Sequence, residues 1–193
     1  QKMRDAIAAN RSDMPHFGDL FACNFSGHLY QPLFFARKTS DIVITPVALN
    51  ESEFTFIKQL KDWCANNASK LQQNQQEIFI LRNMSRGKGL GFFEAGGFYP
   101  DFIRWDIIAD KQYVSFIEPH GIMHDGIDSQ KVQFHKQVKD IEKRLGDSSI
   151  TLNSFILSWS MFRDVAPWGV TKLPNRSLKR TTSFLCAMTQ IFI

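Results

Sequence analysis

Residues 98–121 read FYPDFIRWDIIADKQYVSFIEPHG and decide the fold of the chain. The segment is typical of two β-strands joined by a short turn at residues 109–111, with side chains alternating across each strand. If the strands pair antiparallel, their outer ends meet, and Asp101 comes close to Glu118. Because charge is costly beside an apolar surface unless it is compensated, this pattern predicts a hard divalent cation held by carboxylate oxygens.

The composition limits the classes of protein to which this chain can belong. The chain has 193 residues, 44% of them hydrophobic, which suits one globular domain with room for an appendage. The net charge is +4, and Lys and Arg are spread along the chain. This basic excess permits nucleic-acid binding, but a solvated surface of mixed sign explains it equally well.

The cysteines and the apolar runs indicate a compartment. Cys23, Cys64 and Cys186 are odd in number and widely spaced, which gives neither a disulfide framework nor a CxxC zinc motif. We therefore expect a reducing, cytoplasmic location. No apolar run approaches the roughly 20 residues that span a bilayer, and we expect no membrane partner and no secretory signal. The chain begins at Gln1, which is compatible with a fragment of a longer protein.

The remaining patterns place helices and strands around the hairpin. Residues 1–40 are predicted to be an aromatic-rich segment that packs on the core or on an upstream domain, residues 41–160 the core, and residues 161–193 a C-terminal extension. The predicted elements are strands at 41–49, 77–82, 150–159 and 183–193, helices at 51–67 and 129–145, and a polar loop at 68–76. Within the core, the element order helix–strand–strand–strand–helix–strand predicts a mixed sheet with helices on its faces.

Glu53 has two interpretations. Asn50 is a plausible N-cap with Glu53 at the third helical position, as in a capping box. Glu53 also continues the apolar stripe of Phe56 and Ile57, so it is a candidate to complete an acidic cluster from the helix end.

The glycine-rich segment 85–91 lacks the GxxxxGK[ST] spacing, which excludes a P-loop. Its neighbourhood and the second helix instead supply candidate contacts to a nucleic-acid backbone, with a mobile hairpin loop as the alternative. These candidates are Arg82, Arg86, Lys88 and Lys131. Glu94 is a reserve acidic candidate for the metal site.

Two motifs carry a family resemblance. Pro100-Asp101 is followed 17 residues after Asp101 by Glu118-Pro119-His120, and the longer run RGKGLGFFEAGGFYPDFI covers residues 86–103. The pattern resembles the PD-(D/E)xK nuclease superfamily, with His120 in the lysine position. Over about residues 29–157 the chain resembles the C-terminal nuclease region of type III restriction-like DEAD/DEAH-box helicase proteins.

The resemblance implies an α/β fold with a restriction-endonuclease-like αβββαβ core, a mixed central sheet flanked by helices. It implies a Mg²⁺- or Mn²⁺-dependent endodeoxyribonuclease that belongs to a restriction or phage-defence helicase-nuclease. The implied partners are DNA, an upstream helicase motor that would use ATP, and a methyltransferase or recognition subunit. The alternative is a catalytically inactive domain that binds DNA or protein.

We expect Asp101 and Glu118 to be metal ligands, with Glu53 completing the acidic cluster from the helix, and the resemblance implies the backbone carbonyl of Pro119 as a further ligand. His120 acts as general base or as a cation, or it marks reduced activity. His120 and His124 are four residues apart, but the intervening Gly121 argues against a helical zinc pair.

Overall fold

The structure is a computed structural model. It describes residues 16–17, 20–23, 25, 27, 33–36, 48–84, 89–91, 97–119, 129–157, 171–172 and 191–192. The chain divides into two compact units, Gln1–Ala68 and Ser69–Ile193, and each is described by itself. The predicted boundaries at residues 40 and 160 stay predictions.

The first unit contains a small antiparallel sheet. Its strands are β1 (His16–Phe17), β2 (Leu20–Cys23) and β3 (Leu33–Ala36), in that order. Leu20, Cys23 and Leu33 are buried, so part of the aromatic-rich segment forms a core of its own. Of the strand predicted at 41–49, residues 41–47 lie outside the described residues, and Leu49 makes a single parallel bridge to Phe35.

Helix α1 (Glu51–Asn66) follows the predicted bounds closely. Its N-cap is Asn50, whose side-chain oxygen accepts the N–H of Glu53 at 2.9 Å. The Glu53 carboxylate in turn accepts the N–H of Asn50 at 2.7 Å, which completes the predicted capping box. The predicted apolar stripe is fully buried at Phe56, Ile57 and Leu60.

The loop predicted at residues 68–76 is wrong in part, because Ala68–Gln73 forms a short helix, α2. Its sequence, ASKLQQ, is polar, but Ala, Lys, Leu and Gln are all good helix formers. The loop was predicted from the polar composition of the segment, whereas its local structure follows the helix propensity of its residues.

The second unit is built on a four-stranded sheet of order β4-β5-β6-β7. The strands are β4 (Gln76–Arg82), β5 (Phe102–Ile108), β6 (Lys111–Glu118) and β7 (Ile150–Ile156). β4, β5 and β6 pair antiparallel, whereas β6 and β7 pair parallel. The predicted mixed α/β organisation is confirmed, and so is the predicted order of these elements.

Helix α3 (Gln130–Leu145) makes the crossover that a parallel β6–β7 pair requires. Ser129 is its N-cap, and Gly146 ends it in the left-handed conformation at φ 68°. Phe134 and Val138 pack on one face of the sheet, against Ile103, Phe116 and neighbouring apolar residues. The Phe134 ring lies 4.8 Å from Phe98 and 5.3 Å from Phe116, measured between ring centres.

Two short strands complete the description. β8 (Thr171–Lys172) pairs antiparallel with β9 (Ile191–Phe192). β9 falls within the strand predicted at 183–193, and residues 183–190 lie outside the described residues. In the part of the chain described, none of the helices has the length and apolar character needed to cross a bilayer.

Candidate active site

Asp101 and Glu118 meet at the open end of the β5–β6 hairpin, as predicted. The strands pair from Ile108–Lys111 beside the turn to Phe102–Ile117 at the far end, so the next residues outward are Asp101 and Glu118. The Glu118 Oε1 atom accepts the backbone N–H of Asp101 at 2.7 Å. Two acidic residues that are distant in sequence thus meet at one end of the two central strands.

The main chain of each acidic residue is held by a flanking strand. The N–H of Asn83, just after β4, donates to the carbonyl oxygen of Asp101 at 2.8 Å. The N–H of Leu157, just after β7, donates to the carbonyl oxygen of Glu118 at 2.8 Å. The pair therefore lies on the two central strands, and hydrogen bonds on both sides fix its backbone.

The electrostatics of the pair are unfavourable to charge on Glu118. Its side chain is buried, with the residue 4% exposed, and burial raises the pKa of Glu118 from 4.5 to about 7. The nearby negative charge of Asp101 adds to this rise, while Lys131 opposes it. A cation bound at this site would favour the ionised form of Glu118.

These charges fit a hard divalent cation. Mg²⁺ and Mn²⁺ favour oxygen ligands, and Mg²⁺ commonly takes only one or two carboxylates together with water and substrate oxygens. Within the described ranges, no group of three or more His, Cys, Asp and Glu side chains gathers to hold a metal ion. Asp101 and Glu118 would supply two ligands to such an ion, together with main-chain, water or substrate oxygens.

Lys131 lies at the acidic pair. Its ammonium, on the first turn of α3, is 3.4 Å from the Glu118 Oε2 atom, and its side chain is 23% exposed. The sequence assigned Lys131 to nucleic-acid binding, and that assignment stays a prediction. The ion pair explains why Lys131 lowers the pKa of Glu118 against the larger effect of burial.

Glu53 belongs to the first unit, where its carboxylate serves the capping box of α1. Its role as a metal ligand stays a sequence-based prediction. Pro119 directly follows Glu118 and is buried. Arg82 is the last residue of β4 and pairs with Phe102 on β5, so it lies on the strand next to Asp101.

Several predicted site residues lie outside the described residues. They are His120, Arg86, Lys88 and Glu94, and His124 of the rejected zinc pair. Their assignments stay predictions.

A buried charge pair on β5 was missed by the sequence analysis. The Arg104 Nη2 atom donates to the Asp106 Oδ1 atom at 2.5 Å, and Gln76 donates to the same oxygen at 2.9 Å. Opposite charges two residues apart share one face of a strand, so the spacing was a usable signal. Removing one partner of such a buried pair strongly destabilises a protein, because the other charge is left uncompensated.

Comparison of the chain with protein-family models, with curated proteins and with solved structures finds no match.

Proposed function

We propose that this chain contains a metal-dependent endonuclease domain that hydrolyses DNA phosphodiester bonds. The observation that carries the proposal is the meeting of Asp101 with the buried Glu118 on adjacent central strands. Burial and a neighbouring acidic residue raise the pKa of Glu118, and a bound cation would favour its ionised form. Such perturbed groups cluster at functional sites.

The element order supports the resemblance to PD-(D/E)xK nucleases. α1, β4, β5, β6, α3 and β7 follow the αβββαβ order that the resemblance implies. The PD motif precedes β5, and the ExH motif begins at the end of β6, so the two halves of the motif lie on neighbouring strands. We propose a restriction-endonuclease-like core on this basis.

In our assignment Asp101 and Glu118 would hold Mg²⁺ or Mn²⁺, joined by the carbonyl of Pro119, and Glu53 stays a candidate from the sequence alone. When bound, the metal supplies an activated water and neutralises charge on the phosphate. Lys131 keeps a positive charge against Glu118, which favours the ionised form that a ligand needs. His120 is assigned the proton-accepting or cationic role that its motif position implies.

Arg82, Arg86 and Lys88 are assigned to the DNA backbone, since phosphate contacts position a duplex without reading its sequence. The family resemblance supports DNA as the partner in a cytoplasmic restriction or phage-defence setting. In that setting an upstream helicase motor would consume ATP, and a methyltransferase or recognition subunit would supply site specificity.

The experiment is a supercoiled-plasmid cleavage assay with Mg²⁺ or Mn²⁺. Asp101→Asn and Glu118→Gln keep the shape of each side chain but remove its charge. The matched control is Asp110→Asn, which changes an exposed carboxylate in the turn at the other end of the same hairpin. We expect both site variants to abolish metal-dependent cleavage and the control to cleave like the wild type. Cleavage that survives both site substitutions would refute the assignment.

A specific observation also favours the inactive alternative. Glu118 already accepts the N–H of Asp101 and pairs with Lys131, so it has a structural role that needs no metal. A DNA-binding module of this kind would bind DNA with salt-dependent affinity and show no cleavage in the same assay. The inactive alternative would be supported if the wild type does not cleave DNA and Asp101→Asn binds DNA as well as the wild type does.

A further inference from the structure

The loop after β4 is closed by one asparagine side chain. The Asn83 Nδ2 atom donates to the carbonyl oxygen of Leu90 at 2.7 Å, and the N–H of Leu90 donates to the Asn83 Oδ1 atom at 2.9 Å. The carboxamide thus pairs with Leu90 as a backbone strand partner would. Both ends of the loop are held together across seven residues.

Two glycines show how tightly the closed ends are packed. A Cβ atom at Gly89 would lie 2.0 Å from the carbonyl oxygen of Met84 and 2.5 Å from the Asn83 Oδ1 atom. A Cβ atom at Gly91 would lie 2.4 Å from the ring of Tyr99. At Gly89 a side chain would collide with the backbone of Met84, so glycine is needed there for the two ends to approach this closely.

The same asparagine is joined to the candidate active site. Its backbone N–H donates to the carbonyl oxygen of Asp101 at 2.8 Å, and Tyr99, which packs on Gly91, lies two residues before Asp101. The ends of the loop and the segment that bears Asp101 are therefore one connected element. Met84 and Leu90 are exposed, so these ends lie at the protein surface.

We propose that Asn83 is a positioning residue for the Asp101–Glu118 site, because it fixes the ends of this loop against the main chain of Asp101. The proposal rests on the proposed nuclease function and adds a residue that no motif assigns. The substrate it serves is a nucleic-acid backbone. Loss of the two Asn83–Leu90 hydrogen bonds would let the main chain of Asp101 shift relative to the phosphate. Small displacements of a catalytic group lower the reaction rate strongly.

The test compares steady-state cleavage by Asn83→Ala with cleavage by Asn67→Ala. Asn67 also donates a side-chain hydrogen bond to a backbone carbonyl, that of Trp63 at 2.9 Å, but it caps α1 in the first unit. Asn83→Ala loses two hydrogen bonds to Leu90 and Asn67→Ala loses the one to Trp63, so both are expected to lower stability. Rates are expressed per folded molecule, which removes the effect of stability.

We expect Asn83→Ala to lower kcat by about tenfold or more, at saturating metal, and Asn67→Ala to leave kcat and KM unchanged. The hydrogen–deuterium exchange rate of the backbone amide at position 83, which donates to Asp101, gives a readout in the metal-free protein that does not depend on activity. We expect it to be faster in Asn83→Ala than in the wild type and unchanged in Asn67→Ala.

The outcomes separate this inference from the proposed function. If Asp101→Asn abolishes cleavage while Asn83→Ala keeps the kcat and KM of the wild type, the positioning role is refuted and the nuclease assignment stands. If the wild type does not cleave, or Asp101→Asn cleaves normally, the nuclease assignment fails and the positioning role fails with it. An equal loss of kcat in both asparagine variants would also refute a specific role for Asn83.

Discussion

Glu118 should make the stability of the protein depend on pH in an unusual direction. Burial, with the charge of Asp101, raises the pKa of Glu118 to about 7 in the folded protein, from 4.5. The folded protein therefore binds this proton more tightly than the unfolded chain does. The stabilisation is complete below about pH 4.5 and is lost as the pH rises through about 7. Since a difference of one in pKa corresponds to about 1.4 kcal/mol, the loss is about 3 kcal/mol.

Glu118→Gln tests this reasoning, because glutamine keeps an oxygen for the N–H of Asp101 but carries no ionisable proton. The free energy of unfolding is measured by urea denaturation between pH 4 and pH 8.5 in EDTA. We expect the wild type to lose about 3 kcal/mol relative to Glu118→Gln over that range. The control is Asp140→Asn, whose carboxylate is 70% exposed, and its profile should run parallel to that of the wild type.

Added Mg²⁺ should reverse the loss. At pH 8 and a concentration about 100 times the dissociation constant, binding to the folded state adds about 2.7 kcal/mol. This gain is expected in the wild type and not in Glu118→Gln. Parallel pH profiles for the two proteins would show that Glu118 is not desolvated as described. Equal stabilisation of both by Mg²⁺ would place the metal elsewhere.

Three further predictions concern the surroundings of the site and the core. Lys131→Met removes the ammonium that lies 3.4 Å from Glu118, so the pKa of Glu118 should rise further. Cleavage at pH 7 should then fall about tenfold, which a pH–rate profile measures. The control is Lys143→Met, which changes a side chain that is 77% exposed and should alter neither the pKa nor the rate. Asn50→Ala removes the side-chain cap of α1 and should lower the free energy of unfolding by about 1 kcal/mol, measured by urea denaturation. Phe134→Ala opens a cavity between Phe98 and Phe116 and should cost about 3–5 kcal/mol of unfolding free energy, against little for the exposed Leu145→Ala.

The elements predicted well from sequence are those with strong local signals. Asn50 and Glu53 mark the start of α1 by a capping box, and Gly146 marks the end of α3. The hairpin follows from two strand-like runs around a short turn, and pairing them brings Asp101 to Glu118 without further information. Local rules were sufficient wherever one segment, or two adjacent segments, decided the outcome.

Two of the features missed from sequence depend on contacts between segments, and a third, at residues 68–73, depends on local helix propensity. Lys131 reaches Glu118 because the first turn of the crossover helix lies beside the end of β6. The pattern of apolar residues predicts the helix but not its position next to that strand. The role of Asn83 depends on the distance between residues 83 and 90, although an asparagine before a glycine-rich run is a turn signal. Residues 68–73 were misjudged because polarity was given more weight than helix propensity.

The two backbone hydrogen bonds that flank the acidic pair also provide built-in spectroscopic reporters. The amide protons of Asn83 and Leu157 are donated to the carbonyl oxygens of Asp101 and Glu118, one on each side. Their hydrogen–deuterium exchange rates therefore report local opening of each central strand end separately. A ligand that tightens only one half of the pair would slow one of these protons and leave the other unchanged, before any turnover is observed.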